Sequence, residues 1–241
     1  MEGRTIAAVI TAAGASTRMG GLKKEYRPLG DGIYDSAGKP LSVLGSTVLA
    51  FAACSEIDLI VITVPNNSET GEAAARAVLP AFPAHIVKKP KILFIPGSNT
   101  RRASVHHALA LLSAYHVDYV LIHDGARPWV QPALIQHIIH KVQEHRAVIP
   151  VMGLVETPKE LDEQGFITRH LKRTRIVTAQ TPQAFAFTDI LAAHEKAAQI
   201  ELETGREFTD DAEVWGQFIG PVYTIQGDMK NKKITFPEDL P

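Results

Sequence analysis

Apolar residues along this chain fall into short unbroken runs, separated by longer stretches in which they recur every three or four positions. Thr5–Thr11 (TIAAVIT), Asp58–Val64 (DLIVITV), Ile92–Ile95 (ILFI), Tyr119–His123 (YVLIH) and Ala147–Val151 (AVIPV) are too short for helices and mostly rich in β-branched residues, which predicts buried strands. Glu69–Leu79, Thr100–Tyr115 and Pro132–His145 carry apolar residues at helical spacing. Unbroken apolar strands alternating with helices predict an α/β fold, a mostly parallel central sheet covered by helices on both faces. Ligands of such sheets bind beyond the carboxyl ends of the strands. The loops to examine are therefore Ala12–Gly20, Pro96–Arg101 and Asp124–Pro128, each of which follows a predicted strand.

The pattern changes after Gly153. Leu154–Thr178 contains Pro158, Gly165 and several charges but no helix-length apolar stripe, and predicts a hairpin excursion turning on Asp162-Glu163-Gln164-Gly165. A lone hairpin is poorly stabilised in water, so this one is expected to pack against a second subunit. Gly30–Pro40 has the composition of a surface loop.

Composition narrows the function classes. The chain has 241 residues, 45% hydrophobic and 21% charged, within the range of a soluble globular protein and long enough for a full core. A net charge of −1 argues against a general nucleic-acid binder, so its cations matter by position rather than number. The single cysteine, Cys54, excludes an internal disulfide and a cysteine-rich zinc site, and reads as a small buried residue in a helix. No apolar run approaches the roughly 20 residues of a membrane span. The N-terminal apolar stretch is a short strand rather than a signal sequence, which leaves the cytoplasm as the expected compartment.

The chemistry gathers in the loops. After the first strand come Ala12-Ala13-Gly14-Ala15-Ser16-Thr17-Arg18-Met19-Gly20 and then Lys23-Lys24-Glu25-Tyr26. Small residues let backbone N–H groups approach a ligand, and Arg18 and Lys24 bring positive charge, a combination suited to a polyphosphate. The spacing matches neither a dinucleotide fingerprint nor a P-loop, and a tight turn with solvated cations is the competing explanation. In Gly97–Val105 (GSNTRRASV), Ser98 or Asn99 is placed to cap a helix. Two arginines in a first helical turn oppose the helix dipole, a conflict that a bound anion or solvent would relieve. In His123-Asp124-Gly125-Ala126-Arg127-Pro128, Asp124 suits a sugar hydroxyl or a metal, and Arg127 suits a phosphate. An Asp–Arg pair closing the turn is the alternative there, and His123 reads as a packed strand residue. Thr209-Asp210-Asp211 reads as a helix start with Thr209 as cap. Lys233 precedes a strand-like end, so its side chain is expected to be directed.

Together these segments resemble the 2-C-methyl-D-erythritol 4-phosphate cytidylyltransferases of non-mevalonate isoprenoid synthesis. The blocks AAGASTRMG with KKEY, GSNTRRASV, HDGARP, ETPK, AQTPQAF, TDDA and GDMKNKKITFPEDL occur in the family's order over nearly the whole chain. The resemblance implies a Rossmann-like nucleotidyltransferase domain spanning 1–241, with a β-arm at about 154–178 exchanged in a homodimer. It implies transfer of CMP from CTP to the polyol phosphate, with Mg²⁺ or another divalent cation. Arg18, Lys24 and Lys233 would surround the reacting phosphorus. Ala12, Ala13, Gly14, Ser98, Asn99 and Ser104 would hold the cytidine, and Asp124 would serve the sugar and the metal. Arg127 and Thr209 would line the second substrate, whose phosphate Thr157 and Arg173 would grip from the partner's arm.

The sequence departs from the family pattern at Lys23, where proline is usual, and at Ser98-Asn99, where Gly-Asp is usual. It departs also at Glu156-Thr157-Pro158-Lys159, in a longer Gly30–Pro40 loop, and in ending at Asp239-Leu240-Pro241 where a terminal helix is common. The rival readings are a ribitol 5-phosphate cytidylyltransferase, a sugar-1-phosphate nucleotidylyltransferase and a non-catalytic nucleotide sensor. AQTPQAF and TDDA favour the erythritol enzymes over the first.

Overall fold

The structure is a computed structural model and describes residues 4–16, 23–67 and 70–240. The strands β1 (Ile6–Thr11), β2 (Ile57–Val64), β3 (Lys91–Pro96), β4 (Tyr119–Asp124) and β5 (Ala147–Gly153) match the predicted runs to within a few residues at each end. Three short strands, β8 (Val177–Ala179), β9 (Gln183–Ala186) and β10 (Tyr223–Gln226), complete the sheet. Its order is β10-β5-β9-β4-β1-β2-β3, with β8 paired to β5 off this path. The pairs β3–β2, β2–β1, β1–β4 and β5–β10 are parallel, and β9 runs antiparallel between β4 and β5.

Alternation along β1 explains its unbroken apolar sequence. Ala8 and Ile10 face one core with Leu44, Phe51, Ile135 and Ile139, while Ala7 and Val9 face another with Leu109, Phe185, Ile190 and Trp215. Residues pointing to opposite faces are both buried, so no polar position is tolerated. The first face is covered by α1 (Val43–Ala52) and α4 (Pro132–His145). The second is covered by α3 (Arg101–Leu112), α5 (Phe187–Thr204) and α6 (Asp211–Phe218).

Several expectations are corrected. The helix expected over Glu69–Leu79 contributes only α2 (Glu72–Ala77): Gly71 stands at its N-cap, and Pro80 follows the predicted end and disfavours helical geometry just before it. Helix α3 is capped by Thr100, whose Oγ1 accepts from Ala103 N at 3.1 Å, rather than by Ser98 or Asn99. Helix α6 is capped by Asp210, whose Oδ1 accepts from Glu213 N at 2.8 Å, rather than by Thr209. Cys54 lies just past the end of α1 instead of within a helix, and burial pushes its thiol up to about 12, so it is a packed, unreactive group.

Between Gly153 and Val177 the chain leaves the sheet. Strands β6 (Lys159–Leu161) and β7 (Ile167–His170) pair only with each other and are exposed along their length. Their turn is built on Asp162, whose Oδ1 accepts from Gln164 N and Phe166 N at 3.1 and 2.8 Å, with Gly165 at φ +89°. Among the described residues no helix is long and apolar enough to cross a membrane.

Leu121 on β4 is fully buried in the first core. Leu121→Ala should therefore cost about 2–5 kcal/mol, read as a lower urea midpoint with an unchanged slope.

Candidate active site

At the carboxyl ends of β1, β2, β3 and β4 the loops enclose a cavity of about 500 Å³. Ala13 and Gly14 line it from the loop after β1, and Lys24 lines it from a 3₁₀ turn at Lys24–Tyr26. Ser98, Asn99 and Ser104 approach from the loop after β3 and from α3. Asp124 closes it from the end of β4, and Lys233 from the C-terminal segment. Residues separated by more than two hundred positions thus meet at one sheet edge.

Close packing shapes the nucleotide side of the cavity. A Cβ on Gly97 would fall 2.2 Å from Ala13 Cβ and 3.0 Å from Ser104 Oγ, so only glycine lets the two loops approach this closely. Ser104 Oγ accepts from Ser98 N at 2.9 Å and donates to Thr100 O at 2.8 Å, which fixes the loop against the helix start. Ala12 does not line the cavity. It is fully buried, and its N–H is given to Thr63, at 3.1 Å to the carbonyl and 3.2 Å to Oγ1.

Asp124 is the electrostatic centre. It is 6% exposed, with its Oδ2 3.0 Å from Lys233 Nζ and 3.2 Å from Arg127 Nε, and its Oδ1 3.5 Å from Arg101 Nε. Burial by itself would raise the carboxyl pKa. Arg101, Lys233 and Arg127 outweigh it and hold Asp124 well below the usual carboxylate range. Arg101 Nη1 also bonds Asp211 Oδ2 at 2.8 Å, and Asp211 Oδ1 lies 3.2 Å from His194 Nε2, both of those groups being fully buried. The neighbouring arginine turns away: Arg102 Nε bonds Glu201 Oε2 at 2.6 Å and Nη1 donates to His194 O. The first-turn arginines are therefore matched by carboxylates of this chain, without need of a bound anion. Arg101 and Glu25 are site residues that sequence reasoning missed; for Arg101, its place in a first turn was the available signal.

His123 is a strand residue packed under the site, as expected. Burial lowers its pKa to about 3, so it is neutral; its Nδ1 meets Thr181 Oγ1 at 2.9 Å, and that hydroxyl accepts from Asp124 N. The segment carrying Lys233 is held by bonds that run across the chain. Asn231 is buried and donates to Thr181 O at 2.7 Å, Arg127 Nη1 donates to Asn231 O at 2.8 Å, and Ile234 N donates to Ala126 O at 2.8 Å. Lys24 Nζ donates to Ile234 O at 2.8 Å, which ties the Lys24 turn to the residue after Lys233.

Other candidates lie elsewhere. Arg18 is outside the described residues. Arg127 supports Asp124 without lining the cavity. Thr209 is exposed and donates to Glu213 Oε2. Thr157 and Arg173 flank the exposed hairpin, where Arg173 Nη1 bonds Val155 O at 2.5 Å.

A mostly parallel sheet with a small-residue loop and a ring of cations at its carboxyl edge defines a nucleotidyltransferase-type α/β fold. Within that class the chain belongs to the IspD family, 2-C-methyl-D-erythritol 4-phosphate cytidylyltransferase, whose family model matches residues 6–241. A bifunctional IspD/IspF enzyme of Bartonella henselae is 35% identical over 240 residues, which is 98% of this chain and 55% of that enzyme. The chain spans about half the length of the curated relatives it matches. Among solved structures, the 4-diphosphocytidyl-2C-methyl-D-erythritol synthase of Anaerococcus prevotii is 26% identical with a TM-score of 0.75, covering 99% of this chain and 96% of that one. The Francisella tularensis 2-C-methyl-D-erythritol 4-phosphate cytidylyltransferase is 25% identical with a TM-score of 0.74, over 98% and 96%.

Two outcomes test this geometry. Gly97→Ala should destabilise the protein by about 1–3 kcal/mol, measured by urea unfolding, because the added methyl meets Ala13 and Ser104. Asp124 has a depressed pKa when folded, so it contributes stability above the ordinary value of 3.8 that is lost as pH falls below it. Unfolding midpoints of wild type and Asp124→Asn should differ at neutral pH and converge under acid.

Proposed function

We propose that this chain is a cytidylyltransferase that moves CMP from CTP to 2-C-methyl-D-erythritol 4-phosphate, giving 4-diphosphocytidyl-2-C-methyl-D-erythritol and pyrophosphate. The observation that carries the reading is the convergence of Lys24, Lys233 and Asp124 on one cavity with the small-residue loop, in a chain of this family. The family match favours methylerythritol phosphate over ribitol 5-phosphate as acceptor.

An oxygen of the acceptor phosphate forms a bond to the α-phosphorus of CTP while the bond from that phosphorus to the β-bridging oxygen breaks, and pyrophosphate leaves with the electron pair. The attacking monoester has a second pKa of about 6 and is mostly a dianion at neutral pH. No general base is needed, which fits the buried and neutral state of His123 beside Asp124. The barrier lies in bringing two anions together. Lys24 and Lys233 supply fixed positive charge where charge accumulates, and their anchoring on Ile234 O and Asp124 means that little reorganisation accompanies the reaction; Arg18 would add to that charge. Arg101 and Arg127 hold Asp124 ionised beside Lys233 and so fix the direction of that lysine.

Asp124 also fits a role toward a divalent cation. Its Oδ1 has, among the described residues, a long contact to Arg101 at 3.5 Å, and Mg²⁺ is commonly held by one or two carboxylates together with substrate phosphates. Among the described residues no group of three or more His, Cys, Asp or Glu side chains is placed to hold a metal alone, which suits an ion carried largely by the nucleotide. When bound, Mg²⁺ would neutralise triphosphate charge.

The reading takes 1–241 as one nucleotidyltransferase domain acting in the cytoplasm as a homodimer. Exposed apolar residues on the hairpin, Leu161 at 58%, Phe166 at 72% and Ile167 at 52%, support a partner surface there. In the dimer, Thr157 and Arg173 would reach the partner's substrate phosphate, and Thr209 and Arg127 would serve the acceptor side.

Lys24→Ala, Lys233→Ala and Arg18→Ala should each lower kcat by about 100-fold or more in a pyrophosphate-release assay with CTP, Mg²⁺ and methylerythritol phosphate. Wild-type-like turnover in all three would defeat the assignment.

A further inference from the structure

Lys23 and Glu25 flank Lys24 and are both nearly enclosed, with side chains 8% and 6% exposed. Lys23 Nζ lies 3.1 Å from Glu25 Oε2 and donates at 2.7 Å to the carbonyl of Gly14, in the loop that follows β1. Ser16 Oγ donates to the same carboxylate at 3.4 Å. These contacts tie both Gly14 and Ser16 to the turn that presents Lys24. Glu25 itself lines the cavity that also holds Lys24 and Lys233. A carboxylate in the wall of a polyphosphate site repels its ligand unless a cation neutralises it. Lys23 has φ −64°, a value proline also adopts, so the backbone there does not demand a lysine and the side chain must be explained by its contacts.

We propose that Lys23 is a positioning residue: its pair with Glu25 neutralises a buried carboxylate in the phosphate cavity and staples the loop after β1 to the turn carrying Lys24. The inference deepens the cytidylyltransferase reading and rests on it for the identity of the nucleotide. Burial favours loss of the lysine's proton and Glu25 opposes that loss, as in an enclosed pair whose members depend on each other. The Lys23 ammonium also lies 5.7 Å from the Tyr26 ring centre, which adds a face of negative potential to its surroundings.

The test compares binding of inorganic tripolyphosphate and of CTP by calorimetry with kcat from pyrophosphate release. Lys23→Met leaves Glu25 unneutralised and should weaken tripolyphosphate binding about tenfold. Adding Glu25→Gln to that variant should restore affinity to within about threefold of wild type. The double variant should nevertheless keep a kcat lower by about tenfold, because Gly14 is no longer tied to the Lys24 turn. A role confined to fold stability would not split affinity from turnover in this way. Wild-type affinity in Lys23→Met, or no recovery in the double variant, overturns the proposal. Should Lys23→Met fail to fold, Glu25→Gln alone is the second reading: it should bind tripolyphosphate at least as tightly as wild type, and weaker binding overturns the proposal. Absence of pyrophosphate release from the wild-type protein would sink the cytidylyl-transfer reading and leave the tripolyphosphate comparison intact.

Discussion

A single buried carboxylate organises the loop edge of the central sheet in this protein. Asp124 ends a central strand, and Arg101, Arg127 and Lys233 reach it from a helix start, a turn and the C-terminal segment. An enclosed carboxylate without partners would take up a proton; surrounded by these cations it stays charged and gives each a fixed direction. The same arrangement keeps the cations from repelling one another. The site is thus neutralised in advance by groups that the fold already holds.

The arrangement is held by non-local bonds. The segment around Lys233 has little regular structure, and its place is set by Asn231 on Thr181, Arg127 on Asn231 and Ile234 on Ala126. The Lys24 turn is secured to the same segment through Ile234 O and to the first loop through Lys23. Each anchor is a hydrogen bond or ion pair in a partly water-excluded setting, where leaving one partner unsatisfied is costly. That cost makes the geometry specific, because alternative placements of the tail would strand several buried polar groups at once.

Legibility in the sequence followed the strength of the local signal. The five long strands could be read because their apolar runs are short and unbroken, as burial on both faces requires of β1, β2 and β4, and α4 could be read to the residue because Pro132 opens it and its apolar stripe is wide. Helix α1 was not foreseen: it is buried nearly all round, so it has no polar face to reveal its period. Helix α5 buries alanines such as Ala193 and Ala197, which are weak markers of an apolar stripe. The helix caps were displaced by one or two residues, since adjacent Ser, Asn, Thr and Asp all have the chemistry of a cap and only backbone direction selects among them.

What the sequence determined by itself was the alternation of strand and helix and the sheet edge at which the candidate site lies. These follow from periodicity and composition, which act locally and are written in order along the chain. Only the tertiary structure decided which charges meet. It turned Arg101 toward Asp124 and Arg102 away, took the Ala12 amide for Thr63, and enclosed Lys23 with Glu25 beside the cavity. The reason is physical: the energy of an ion pair or a buried hydrogen bond depends on distance and on exclusion of water, and neither quantity is defined until distant segments have packed.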